Sequence, residues 1–532
     1  MHNFEVVFLL LAIIAIFSVV AEKIKIPYPI LLVVAGLAIG LIPGLPIVQL
    51  RPDVVFIIFL PPLLFSSAWS TSWHDFKAAK RPIALLATGC VLFTTTGVAI
   101  AAHYLIPGFS WPEAFVLGAI ISPPDAVAAT AITKNLGLPR RVITILEGES
   151  LVNDASGLIA YKYAVAAVAT GNFIFWEAGL QFLLVSVMGI VCGFLIGYIM
   201  LKVHKYISGN DIVETSLTLL TPFIAYVVAE KFHFSGVLSV VTAGLYLSWK
   251  SSELFTHTSR LQAMSVWGSV VFILNGVIFI LIGLQLPSIL KGISGYSLVS
   301  HCFYGVVISI VVMIVRILWV FPGAYIPRWL YKSIRKNEPK PSWQLVLITG
   351  WTGMRGVVSL AAALALPIAL PNGANFPGRD LILFLTFCTI LFTLLVQGIT
   401  LPLLIRGMGI KSNKVDEILE EIDARKRLAS AAIVHIEENL ALGVLTEGVL
   451  SQVKNKYEIR YNHLSNYSDL NGGSQVDSSF VQFNNVQKKL LTIERDLLSA
   501  MRRKGTINDE VMRKLEYELD LEEARIGTEN QL

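Results

Sequence analysis

The stretch "AIISPPDAVAAT", residues 119–130, sets two consecutive prolines and an acid in the middle of an apolar run. Pro123 and Pro124 have no backbone N–H and bias the residues before them away from helix. The segment therefore predicts a helix that breaks, leaves carbonyls free from about Ala119 to Ser122, and restarts as a half-helix at Asp125. Non-helical backbone is tolerated at membrane depth only where protein or a wet cavity surrounds it. An acid at such a break is well placed to hold a cation, with nearby carbonyls helping. A simple proline kink explains the prolines but not Asp125.

That the break lies in a membrane follows from the rest of the chain. Of 532 residues, 55% are hydrophobic and 15% are charged, and the mean hydropathy is +0.67. Soluble proteins carry roughly 25% charged residues. A helix needs about 20 apolar residues to cross the hydrocarbon. Thirteen such spans are expected, at roughly 4–21, 29–48, 53–70, 82–105, 112–133, 142–169, 179–201, 213–230, 235–249, 265–287, 297–321, 344–370 and 380–404. The first lacks a basic n-region and a cleavage site and reads as a retained span, not a signal peptide. Alternate loops hold 17 Lys and Arg residues and the opposite loops only 4. The positive-inside rule then places the N-terminus outside and the tail in the cytoplasm.

Charge divides the chain near residue 410. Residues 1–410 hold 25 Lys+Arg against 16 Asp+Glu, and residues 411–532 hold 17 against 21. Two domains are expected: a transmembrane domain over 1–410 and a helical cytoplasmic tail over 411–532 with a regulatory or oligomerising role. In the tail, Val415, Ile418, Ile422, Ala429, Ile433, Ile436 and Leu440 recur at mostly helical steps, as do Phe483, Val486, Leu490, Ile493, Leu497 and Met501. Residues 466–479 read as a flexible linker. The net charge is too mild to suggest nucleic-acid binding. Cys90, Cys192, Cys302 and Cys388 each sit alone in an apolar run and read as packing.

Few ionisable residues lie deep in the spans: Asp125, Glu147, Glu149, Asp154, Lys162, Arg316 and Arg355. Intramembrane ionisable groups usually mark an ion pathway, a proton relay or a buried pair. Four acids and three bases cannot all pair off. In "ILEGESLVND", 145–154, helical spacing puts Glu147, Ser150 and Asp154 on one face and Glu149 with Asn153 on another. Hydroxyl, amide and carboxylate oxygens are hard ligands, suited to a small hard cation. The bland alternative for Ser150 and Asn153 is polar glue between helices.

The twelfth span, "ITGWTGMRGVVSLAAALALP" (348–367), crowds Gly350, Gly353 and Gly356 around Arg355 and is expected to be interrupted too. If spans one to six and eight to thirteen are inverted repeats, spans five and twelve correspond. Paired interrupted helices are the sequence pointer to a transporter site at the midplane. Arg355 would compensate the half-helix ends and is a candidate partner for Glu149. Arg316 is expected to snorkel or brace. Lys162 is expected to snorkel or to form an ion pair. His103, His233 and His301 lie at span ends.

The motifs "SPPDAVAAT", "LEGESLVNDASGLIAY", "LTLLTPFIAYVVAE", "SGVLSVVTAGL", "FILIGLQLP", "TGMRGVVSLAAALALP" and "LVQGITLPLLIRGMGI" together resemble the cation:proton antiporter family 1, the sodium/proton exchangers, over roughly residues 4–410. The resemblance implies an all-α inverted-repeat fold with two broken, crossing helices, a homodimer in the cell (inner) membrane, and an elevator-like cycle. It implies Asp125 and Asp154 as the acids that hold Na⁺, Asn153 as half of an Asn-Asp pair, Ser150 as an accessory ligand, and Glu149 with Arg355 as a structural ion pair. An Asn-Asp pair accompanies electroneutral exchange. Two departures stand out. Asp125 follows Pro124 and precedes Ala126 where the family often has Asp-Pro, and Ser66 stands where some relatives carry an acid.

The expected activity is monovalent cation/proton antiport without a cofactor, Na⁺ or Li⁺ competing with H⁺ for the Asp154–Asp125 site. K⁺/H⁺ exchange is the alternative substrate reading; a cation channel or a membrane sensor with a signalling tail is the alternative class. Against a channel, the acids sit on two helices at a compact site and not in a ring. Against an enzyme, "EGESL" lacks the second glycine of a nucleophile elbow.

Overall fold

The computed structural model describes residues 2–24, 27–42, 55–125, 129–130, 133, 138–171, 175–207, 209–293, 298–338, 340–370, 373–410, 414–440, 447–469, 478–503 and 509–529. These residues are almost all helical; the described β structure is one isolated antiparallel bridge, Ala369 to Asn375. The chain divides into two compact units, Met1–Lys411 and Ser412–Leu532.

In the first unit, six described helices are long and apolar enough to cross a membrane: Lys80–Leu105, Gly179–Ile207, Asp211–Lys231, Thr258–Gly292, Leu298–Leu330 and Arg379–Gly407. Arg140–Thr170, at 31 residues, is also long but carries the deep acids. The segment expected to be short, 235–249, is the 19-residue helix Gly236–Leu254. At 1.5 Å per residue it extends about 28 Å, close to the hydrocarbon thickness.

Polar caps fix where several of these helices begin. The Asn210 side chain accepts from the Val213 N–H, the Ser235 hydroxyl from Leu238, and the Ser342 hydroxyl from Leu345. Lipid gives helices no hydrophobic reason to associate, so close packing of small residues carries the load. Gly36 of Tyr28–Gly40 shows it: a Cβ there would collide with the Ile280 carbonyl on the facing helix.

Both expected interruptions are seen, although Asp125 is itself non-helical and the half-helix expected to restart there falls largely outside the described residues. Trp111–Ile121 starts on a capping box, in which Glu113 accepts from the Ser110 N–H at 3.0 Å, and stops before Pro123. Trp343–Trp351 and Val357–Leu364 are separated by five non-helical residues, 352–356. Residues 126–128 of the fifth segment lie outside the described residues.

The second unit consists of helix pairs. Lys414–His435 packs on Glu447–Asp469, and Ser478–Arg503 on Asp509–Glu529. Arg495 ties the latter pair through Asp520 and Glu523, at 2.5 and 2.6 Å. The apolar stripe that recurs at helical steps is turned outward: Val486, Leu490, Ile493 and Leu497 are exposed, whereas their neighbours Leu491 and Leu498 are buried. The first four residues of the expected linker are helical; 470–477 lie outside the described residues.

Candidate functional site

The prolines at 123 and 124 remove the donors that would have reached back to the carbonyls of residues 119 and 120. The freed groups find other partners, as buried backbone must. The Ser122 hydroxyl donates to the Ala119 carbonyl at 3.2 Å. The Asp125 N–H leaves the helix and donates to the Met354 carbonyl, 2.7 Å away in the other break. The Ile121 carbonyl accepts instead from Arg355 Nε at 2.5 Å. The two interruptions thus hydrogen-bond each other, which holds Asp125 against residues 354–356.

Gly356 completes the contact. A Cβ built on it would land on the Asp125 carboxylate, so only glycine lets the two segments approach this closely. The Arg355 guanidinium also donates to the Gly353 carbonyl two residues before it, and the Arg355 N–H to Thr393 Oγ at 3.1 Å.

Arg140–Thr170 lays its acids alongside this crossing. Glu147, Ser150, Leu151 and Asp154 line one side of a cavity of about 100 Å³, with Pro123, Pro124, Asp125, Gly356 and Ser359 on another. A space of that size holds several water molecules. Asp154 is buried and Asp125 half-buried. Asp154 from Arg140–Thr170 and Asp125 from the break, together with the Ser150 and Thr130 hydroxyls, are therefore among the oxygen-bearing groups of one small, otherwise largely apolar space inside the helix bundle. These are hard oxygen donors, the set an alkali cation takes.

Asn153 lies elsewhere. It is fully buried, is not part of the cavity wall, and donates its amide to the Pro124 carbonyl at 2.7 Å. Its oxygen is buried with no protein partner. Its contact is with the broken backbone beside Asp125, whereas Ser150 lies on the cavity wall.

The ion pair expected between Glu149 and Arg355 is not formed. Glu149 pairs with Arg316, Nη1 to Oε1 at 2.5 Å and Nη2 to Oε2 at 2.8 Å, with both side chains buried. Arg316 Nη2 also donates to the Thr349 carbonyl at 3.2 Å, at the end of the helix before the second break. The physical reason is geometric. Arg316 meets the carboxylate fork to fork, while Arg355 is committed to the carbonyls that the breaks set free. Among the described residues no carboxylate lies within ion-pair distance of Arg355.

Lys162 combines its two expected fates. It reaches Glu230 at 3.6 Å and remains 64% exposed. Ser66 is not on the cavity wall, but Ser67 and Ser70 are. Sequence reasoning also missed Asn275 and Ser359 on that wall. Asn275 had a signal: a lone amide inside the apolar run "FILNGVIFIL".

Comparison with known proteins agrees with this architecture. The family model for the transmembrane sodium/hydrogen exchanger matches residues 7–407. A Bacillus pumilus protein named as a sodium, potassium, lithium and rubidium/H⁺ antiporter is 33% identical over 461 residues, 83% of this chain and 67% of its own. An uncharacterized Na⁺/H⁺ exchanger of Escherichia coli is 33% identical over 542 residues, 95% of this chain and 96% of its own. Among solved structures, the sodium proton antiporter of Methanocaldococcus jannaschii superposes with a TM-score of 0.59 at 22% identity, over 76% of this chain and 98% of that one. The chain belongs to the sodium/hydrogen exchanger family and is an integral, multi-pass antiporter of monovalent cations and protons.

Proposed function

We propose that this protein exchanges Na⁺ or Li⁺ for H⁺, one for one, by competition of the two ions for the Asp154–Asp125 pair. The observation that carries the reading is the sharing of one small cavity by these two carboxylates at the contact between the two breaks. Ionised, the pair takes up a cation; protonated, it releases it. Any apparent titration belongs to the pair and not to either acid. Ser150 adds a neutral oxygen at the wall, and Asn153 positions the Asp125 segment without adding a titrating charge, which suits electroneutral exchange. Glu149 and Arg316 neutralise each other and stay out of the cycle.

On this reading residues 1–410 carry transport as a homodimer in the cell membrane, with the N-terminus outside. Residues 411–532 form a cytoplasmic regulatory tail. Everted vesicles with a ΔpH dye and a potential dye test both parts. Wild type should dissipate ΔpH on addition of Na⁺ or Li⁺ without needing a potential. Asp154→Asn should not respond, and Lys162→Ala should keep part of the activity. Retained exchange in Asp154→Asn would sink the mechanism. A pH profile unchanged after removal of residues 412–532 would remove the regulatory role.

K⁺ is the second reading of the substrate, favoured by the name of the Bacillus pumilus relative. A response to K⁺ alone in the same vesicles would select it.

A further inference from the structure

Away from the cavity, three arginines from three helix ends converge on one oxygen atom. Arg81 at the start of Lys80–Leu105, Arg141 in the first turn of Arg140–Thr170 and Arg328 in the last turn of Leu298–Leu330 approach Glu338 Oε2 at 3.4, 3.4 and 3.6 Å. The three guanidinium nitrogens therefore lie within about 7 Å of one another. Among the described ion pairs, one carboxylate faces these three guanidiniums, an excess of two positive charges, partly shielded from water, where charges act on one another more strongly than in bulk solvent.

Arg328 Nη1 donates to the Glu338 carbonyl at 3.2 Å, but Arg81 keeps donors to spare. Arg81 Nε and Nη1 are buried with no partner in the protein. The start of Arg140–Thr170 has no side-chain cap, the Val142 N–H turning back to the Pro139 carbonyl at 2.9 Å, and the positive end of its dipole lies beside Arg141. The nearby acid Asp75 is engaged by Arg140 at 3.1 Å. In sequence, Trp329 and Tyr331 follow Arg328 and Trp343 follows Glu338 by five residues, and all three are exposed, at 83%, 62% and 56%. Trp and Tyr favour the headgroup level of a bilayer, where one end of the ring is apolar and the other wet.

We propose that Arg81, Arg141 and Arg328 form a site for a phosphate-type anion, filled by the headgroup of an anionic phospholipid. Planar guanidiniums match the oxygens of phosphate, and the aromatic rim puts the cluster at the depth where lipid phosphates lie. An occupant there would join the ends of three helices. Two of these, through Glu149 and Arg316, also hold the ion pair beside the transport site. The site does not depend on which cation is exchanged.

The test is thermal unfolding of the purified full chain in a neutral detergent, with phosphatidylglycerol, phosphatidylcholine or inorganic phosphate added in turn. Phosphatidylglycerol should raise Tm by several degrees and saturate, and phosphatidylcholine should not. The double variant Arg81→Gln, Arg141→Gln should lose that rise. Glu338→Gln removes the resident carboxylate and should enlarge it. The proposal is overturned by an equal rise in the double variant, or by no rise in wild type. An equal rise with inorganic phosphate would overturn the lipid as occupant. Should the double variant fail to fold, Glu338→Gln decides: a rise no larger than wild type's counts against the site.

Discussion

Asn153 donates its side-chain amide to the Pro124 carbonyl across 2.7 Å, and so fastens the acid-bearing helix to the break in its neighbour. Pro124 immediately precedes Asp125, so this bond helps to set where that carboxylate points. Asn153→Ala leaves the Pro124 carbonyl without its partner inside the protein, at a cost of about 1–3 kcal/mol. Asn153→Asp should be worse for exchange than for stability, because a carboxylate cannot donate to that carbonyl and adds a charge beside Asp125. Tm of the purified variants and Na⁺-driven ΔpH dissipation check this. Unchanged values for Asn153→Ala would remove the positioning role.

Arg316→Gln strands the Glu149 carboxylate in the bundle, and breaking a buried pair costs about 3–5 kcal/mol. Adding Glu149→Gln should restore much of the lost stability, since two neutral groups then face each other. The same second change should not rescue Arg355→Gln, whose loss leaves the Ile121 and Gly353 carbonyls unpartnered. A double-mutant cycle on thermal stability separates the two arginines. Coupling of Glu149 to Arg355 and not to Arg316 would contradict the observed pairing.

The two interruptions were legible because proline and glycine act on the backbone they occupy. The double proline 123–124 and the paired glycines 353 and 356 weaken a helix locally, whereas single residues such as Pro222, Pro402 and Gly350 are carried inside helices. The two faces of the sixth segment followed from helical geometry alone, which separates Glu147, Ser150 and Asp154 from Glu149 and Asn153. The partner of Glu149 was not legible. Spacing along one chain says nothing about which of two arginines on other helices meets it, and the deciding competition, carbonyls against carboxylate for Arg355, exists only once both breaks are folded together. The tail stripe failed for a related reason. Leu490 and Leu491 both sit at helical spacings, and only the partner helix chooses between them.

Gly356→Ala tests the contact between the breaks with a single methyl group. The added Cβ would overlap the Asp125 carboxylate, so Asp125 or the 352–356 segment must shift. Exchange should fall at least tenfold, while expression and membrane insertion, which depend on the apolar segments, should persist. A tenfold loss corresponds to about 1.4 kcal/mol, a modest displacement on the scale of overpacking costs of 1–3 kcal/mol. Normal exchange in Gly356→Ala would mean that the observed approach of Gly356 to Asp125 is not the transporting arrangement.

Competition at one site also dictates how pH acts on the cation. Each proton bound to the Asp154–Asp125 pair must leave before a cation binds, so acid weakens apparent Na⁺ affinity without lowering the rate at saturating Na⁺. Below the apparent pKa of the pair, the apparent KM should rise about tenfold for each unit fall in pH if one proton competes, and about a hundredfold if two do. Li⁺ should show the same slope as Na⁺, because the slope counts protons and not the cation's fit. Initial rates of ΔpH dissipation, measured in vesicles clamped at a series of pH values with Na⁺ and then Li⁺, give that slope directly. A KM independent of pH, with only the maximal rate changing, would place the proton at some other group and leave the cation alone at Asp154 and Asp125.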